Sequence, residues 1–140
     1  MNAEEYLKSI SRTESFIKSK KLRLKALNDL IEHVPGPVYS TNPRVSKSPD
    51  SSISHIMNQA IDLENEIEQD KVKVQSMRSY MLSLISKIKE PDEENIIIKR
   101  YFDNMAFDDI AYEMDCSSRW VYKLHKKAIK TLNEMLIEDK

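Results

Sequence analysis

The stretch Phe107–Lys126, FDDIAYEMDCSSRWVYKLHK, decides the reading of this chain. Its apolar and small residues fall at the spacing by which one short helix crosses another after a tight turn, the helix-turn-helix arrangement. With Phe107 as the first position, the buried places are Ile110, Ala111, Met114, Cys116, Val121 and Leu124, and all six hold apolar or small side chains. Ala111 lies where the two helices approach closest, so a larger side chain there would spoil the crossing. The turn position usually takes glycine because the backbone goes left-handed; Asp115 tolerates that conformation at a modest cost. Ser117 stands where a cap is wanted, its hydroxyl able to accept from free amides of the second helix.

Working outward, the second helix carries Arg119, Lys123, Lys126, Lys127 and Lys130 with no acid from Ser117 to Leu132. The first opens on Asp108 and Asp109, where carboxylates favour a helix N-terminus. A formal net charge of −1 therefore hides a segregated field, and a basic helix at the recognition position is what a polyanion feels. The expected partner is double-stranded DNA. Ser117, Ser118, Arg119, Tyr122, Lys123, Lys126, Lys127 and Lys130 are the expected contacts. Ser118, Arg119, Tyr122, Lys123 and Lys126 would face the major groove, with Lys127 and Lys130 nearer the phosphates. Trp120 reads as a packing or rim residue.

Composition narrows the alternatives. The chain has 140 residues, 32% of them charged, and one glycine, which favours long helices and removes glycine-rich phosphate loops. Cys116 is the only cysteine, so there is neither a disulfide framework nor a zinc cluster. His33, His55 and His125 show no metal-ligand spacing, and no catalytic constellation emerges. No enzyme, metal or cofactor is expected. With no apolar run long enough for a signal peptide or membrane span, no membrane partner is expected and the cytoplasm is the default.

Prolines set the segments. Pro35, Pro37, Pro43 and Pro49 fall with five serines between Pro35 and Ser52, a stretch that reads as a linker or mobile loop. Pro91 disfavours helix at Glu90, and Asp92 can cap a new one. The expected elements are a helix over 3–33, a loop over 35–52, a helix over 53–89 and a compact helical unit from Asp92 onward.

Both long helices carry heptads. Ile53, Ala60, Ile67, Val74, Met81 and Ile88 recur every seven residues, with Ile56, Leu63, Met77 and Leu84 in the companion row. Ile10, Ile17, Leu24 and Ile31 repeat in the first helix. The basic run Lys18–Lys25 and the acidic run Asp62–Asp70 face each other if the helices fold back, whereas a parallel self-pairing of the second helix would set acid against acid. The expected fold is all-α: an N-terminal antiparallel helical hairpin, a coiled coil, over 1–90, then a three-helix helix-turn-helix unit over 91–140. Ile97, Ile98, Tyr101, Phe102, Leu124, Ala128, Leu132, Met135 and Leu136 would form the core of that second unit. A homodimer stays open.

The run Lys99–Leu132 resembles region 4 of bacterial sigma factors. Arg100, Tyr101, Phe102, Ile110, Ala111, Ser117, Val121, Lys127, Ala128 and Leu132 match its pattern. The whole chain, with its MNAEEYL start, is similar to the small sigma-like late-transcription regulators of phages and prophages, the ArpU and RinA kind. That resemblance implies transcriptional control of phage or mobile-element genes, acting with host RNA polymerase. The chain lacks the sigma region that melts DNA, so it should not act as a complete sigma factor. Two other readings stay open: a small-terminase-like DNA-packaging protein, and a coiled-coil interaction scaffold.

Overall fold

A computed structural model describes residues 2–33 and 47–138, with side chains in the second stretch from residue 52 onward. Among these residues the protein is all-helical: α1 (Ala3–Glu32), α2 (Lys47–Ile85), α3 (Pro91–Ile97), a π-helical turn (Ile98–Phe102), α4 (Phe107–Glu113) and α5 (Ser118–Glu138). Asn2 starts α1 with a reciprocal cap. The Glu5 amide donates to Asn2 Oδ1 at 2.8 Å and the Asn2 amide to Glu5 Oε2 at 3.4 Å, satisfying donors that the helix itself cannot.

Several boundaries differ from the sequence-based expectation. Helix α2 begins at Lys47, inside the expected loop, and so takes Pro49 into its first turn, where a missing N–H is no loss. The rest of that expected loop lies outside the described residues. Helix α2 also stops at Ile85, before the expected Lys89. The Lys87 and Ile88 amides donate to the Leu84 and Ile85 carbonyls, each at 3.0 Å, tightening the chain out of α-geometry ahead of Pro91. Helix α3 is capped by Glu90, extended at φ −87° and ψ 114°, and not by Asp92. Pro91 is its first residue, where its fixed φ suits the helix, and Asp92, Glu93 and Glu94 fill a first turn that favours carboxylates.

The chain packs as two compact units, Met1–Thr13 with Val74–Lys140, and Glu14–Lys73. The first is built on one continuous core. Leu7 and Ile10 from α1, Met81, Leu84 and Ile85 from α2, Ile96 and Ile97 from α3, Ile110 from α4, and Val121 and Leu132 from α5 are all essentially inaccessible to water. Residues on both sides of Pro91 therefore share a single apolar interior. Side chains spaced three and four apart on each helix reach it, since helical geometry puts them on one face. Helix α3 packs on α5, as does α4. Tyr6 and Tyr80 meet at the edge of this core with ring centroids 5.8 Å apart.

In the unit Glu14–Lys73, Ile17, Ala60, Leu63 and Ile67 are buried, while Leu24, Ile31, Ile53 and Ile56 of the heptad rows are half-buried. The Lys20 ammonium lies 2.6 Å from Asp70 Oδ2 and 3.5 Å from Glu66 Oε2. The Asp70 hydrogen bond is the main reason the Lys20 ammonium holds its proton more tightly than an ordinary lysine. Asp70, which interrupts the apolar rows of α2, thus has a partner on α1.

Candidate nucleic-acid interface

The turn between α4 and α5 is set by backbone chemistry. Asp115 sits at φ 55°, in the left-handed region. Its amide donates to Tyr112 O at 3.2 Å and that of Cys116 to Ala111 O at 2.9 Å. This pair of bonds is the Schellman closure of a helix C-terminus, and it satisfies carbonyls that α4 would leave open. Ser117 then starts α5: its Oγ accepts from the Trp120 amide at 3.1 Å. Helix α4 opens on Ala106, which makes no side-chain cap, with Asp108 and Asp109 in its first turn. Ala111, Ile110, Val121 and Leu124 are buried as the spacing requires, but Met114 and Cys116 are only half-buried because they lie at the rim of the turn.

Helix α5 has two opposite faces. Val121, Leu124, Ala128 and Leu132 point into the core. At roughly 100° per residue, Arg119, Lys123, Lys126 and Lys130 fall within about 60° of arc on the far side, with Lys127 to one flank and Tyr122 to the other. All six are exposed. Lys123, Lys126, Lys127 and Lys130 border a shallow surface with Ile129 and Asn133. Lysine stems cover apolar surface there while their ammonium groups stay in water.

Two expected contacts are engaged within the protein. Ser118 is half-buried and donates its hydroxyl to Asp108 Oδ1 at 2.8 Å, tying the start of α5 to the start of α4. The Tyr122 ring rests on Phe107, with centroids 4.7 Å apart, while 56% of the residue stays exposed. Trp120 is 46% exposed, in keeping with a rim position.

Beside Tyr122 opens a cleft that sequence reasoning missed, lined by Glu4, Lys8 and Ser11 of α1 together with Arg100, Asn104 and His125. No local pattern in Asn2–Thr13 distinguishes a helix end packed beside α5 from one that is merely a coiled-coil arm. The Arg100 guanidinium lies 4.3 Å from the Phe107 ring centre and donates to Met105 O at 2.9 Å. Lys99 and Glu113 form an ion pair that joins the π-helical turn to α4. Asn104, at φ 57°, supplies the left-handed residue that ends the π-helical turn.

At the floor of the cleft, the Tyr101 hydroxyl and His125 Nε2 share a hydrogen bond of 2.7 Å. Burial lowers the His125 pKa below the usual 6.5 and pushes Tyr101 up to about 12. The signs give a two-sided pH dependence. Below pH 6.5 the unfolded chain takes up a proton that folded His125 resists, so stability is lost as pH falls. Above pH 10 the unfolded tyrosine ionises while Tyr101 stays neutral to about 12, so stability is lost as pH rises through that window. Thermal melts across pH should show both limbs, and Tyr101→Phe should weaken the alkaline one. An alkaline limb unchanged in that variant would disprove its assignment to Tyr101.

Among the described residues the protein is all-helical, and α5 presents an exposed basic stripe on an apolar footing, with no acid before Glu134. No described helix is long and apolar enough to cross a membrane. The chain belongs to the family described as "Protein of unknown function (DUF1492)", which it matches over residues 41–133. No curated protein and no solved structure matches it.

Proposed function

We propose that this chain is a sequence-specific DNA-binding regulator of transcription from phage or mobile-element genes, acting in the cytoplasm at a promoter with host RNA polymerase. In this reading α4, the Met114–Ser117 turn and α5 are a helix-turn-helix, and α5 is the recognition helix. The observation that carries it is the stripe Arg119, Lys123, Lys126 and Lys130, lying opposite the buried Val121, Leu124, Ala128 and Leu132 on one helix. From Ser118 to Leu132 this face carries no acid, which suits a helix seated in a major groove; Glu134 joins it only in the turn after Lys130. The resemblance to sigma region 4 supplies the polymerase, because that region docks on the enzyme as well as on promoter DNA.

Helices α1 and α2 are read as an antiparallel hairpin. The Tyr6–Tyr80 contact supports this in one unit, and Lys20 against Glu66 and Asp70 supports it in the other. The hairpin would serve as a partner surface or dimerisation arm. In vitro transcription with purified host polymerase on promoters near the gene, alongside light scattering, tests the proposal. The expected results are altered transcript yield from one of these promoters and the mass of a monomer or dimer. No effect on any promoter, together with a ring of many subunits, would reject the regulator and favour a packaging protein.

A further inference from the structure

We infer that the first turns of α1 form a second wall of the DNA site, where Lys8 and Arg12, helped by Ser11, hold the phosphate strand bordering the major groove on the Tyr122 side of α5. This rests on the DNA reading above. It assigns the amino-terminal helix a direct role in binding the nucleic-acid backbone.

The placement of α1 carries the argument. The Ala3 amide donates to Asn133 Oδ1 at 2.7 Å, and Ser11 Oγ lies 3.5 Å from Asn104 Oδ1. Glu4 and Lys8 share a cleft with Tyr122 and His125. Thus α1 runs from the Asn133 level of α5 towards its Tyr122 end. On the helical wheel Asn133, Tyr122 and His125 lie roughly 50 to 130° round from the centre of the basic stripe, all on one flank.

A major groove about 12 Å wide just admits a helix of about 10–12 Å, so a seated α5 has a phosphate strand along each flank. One flank has Lys127 for its strand. On the other, α5 offers Ser118, Tyr122, His125, Ile129 and Asn133, and no lysine or arginine. The exposed cations on that side come from α1: Lys8 on the cleft and, one turn on, Arg12; Arg100 also lines the cleft but is half-buried, its guanidinium held over Phe107 and on Met105 O. Both belong to the same compact unit as α5.

Glu4 works against this role. Its carboxylate lies 3.1 Å from Lys8 Nζ, with 41% of the Glu4 side chain and 67% of the Lys8 side chain exposed. A surface pair of this kind contributes little, so Lys8 can exchange it for a phosphate at small cost. Removing the Glu4 charge should therefore strengthen DNA binding.

The test is fluorescence anisotropy of the full chain on a short duplex of arbitrary sequence, titrated over a range of salt. Lys8→Gln and Arg12→Gln should each flatten the slope of log K against log salt by about 0.9 and weaken binding about eightfold near 0.1 M salt, one counterion release each. Glu4→Gln should bind more tightly than wild type. Lys18→Gln, an exposed lysine of α1 in the other unit, should match wild type. A flattened slope in either cation variant, with Lys18→Gln unchanged, supports the second wall. Wild-type slopes in both overturn it while leaving the recognition helix in place. A wild-type chain that binds no duplex overturns both readings.

Discussion

Replacing Arg119, Lys123 and Lys126 together by alanine is expected to abolish selective DNA binding while leaving the fold intact. The three side chains are exposed and lie on the face of α5 turned away from the core, so their loss opens no cavity. Each well-made contact to a base edge contributes about 1–3 kcal/mol of discrimination, so the three together should cost about 3 kcal/mol or more, a drop beyond 100-fold. Alanine is a good helix former, and α5 should keep its melting temperature. Lys130→Ala offers the contrast: a modest loss that is the same on every sequence. Footprinting or anisotropy on neighbouring genomic DNA reads the difference. Retained selective binding by the triple variant would sink the assignment of α5 as the recognition helix.

The second large effect is on stability. Leu7→Ala should destabilise the unit formed by Met1–Thr13 and Val74–Lys140 by about 2–5 kcal/mol, the range for emptying a buried leucine site. That is a large part of the roughly 5–15 kcal/mol that holds a small protein folded. Leu7 is 1% exposed and shares its core with Ile97, Val121 and Leu132. By the same argument a fragment of residues 91–140 should not fold alone, because it leaves Ile96, Ile97 and Leu132 without Leu7, Ile10, Met81 and Leu84. Circular dichroism and chemical-shift dispersion measure this directly. A cooperative melt for that fragment would contradict the shared core.

That core marks where the sequence ceases to be legible. The turn was readable at residue level, because Asp115, Ser117 and Ala111 each answer a local demand: a left-handed backbone, a free amide, a close helix approach. Helical content was readable from periodicity, and Lys20 against Glu66 and Asp70 agrees with the expected opposition of the charge runs. Boundaries near proline were read less well. Pro49 looks like a breaker in sequence, yet a first helical turn accepts it, and Pro91 sits at the first position of α3 and not before a cap. The packing of Leu7 and Ile10 beside α5 had no local signature, since the same 3–4 spacing serves any helix partner. The Tyr101–His125 pair was equally hidden, because its members come from elements that touch only once the core has closed.

The Ala3–Asn133 hydrogen bond joins residues at nearly opposite ends of the sequence, and Leu7 and Leu132 belong to the same apolar cluster. During synthesis, therefore, the interior stays open until α5 has emerged. Helices α3 and α4, seven residues each, are too short to persist unsupported in the meantime. The entropy of closing so long a loop is met in one late step, and it grows only slowly with the length of the loop. A nascent chain accordingly has no half-built stage: the sites around Leu7, Ile97 and Leu132 are filled together, and a chain cut short before α5 should leave its apolar side chains facing water.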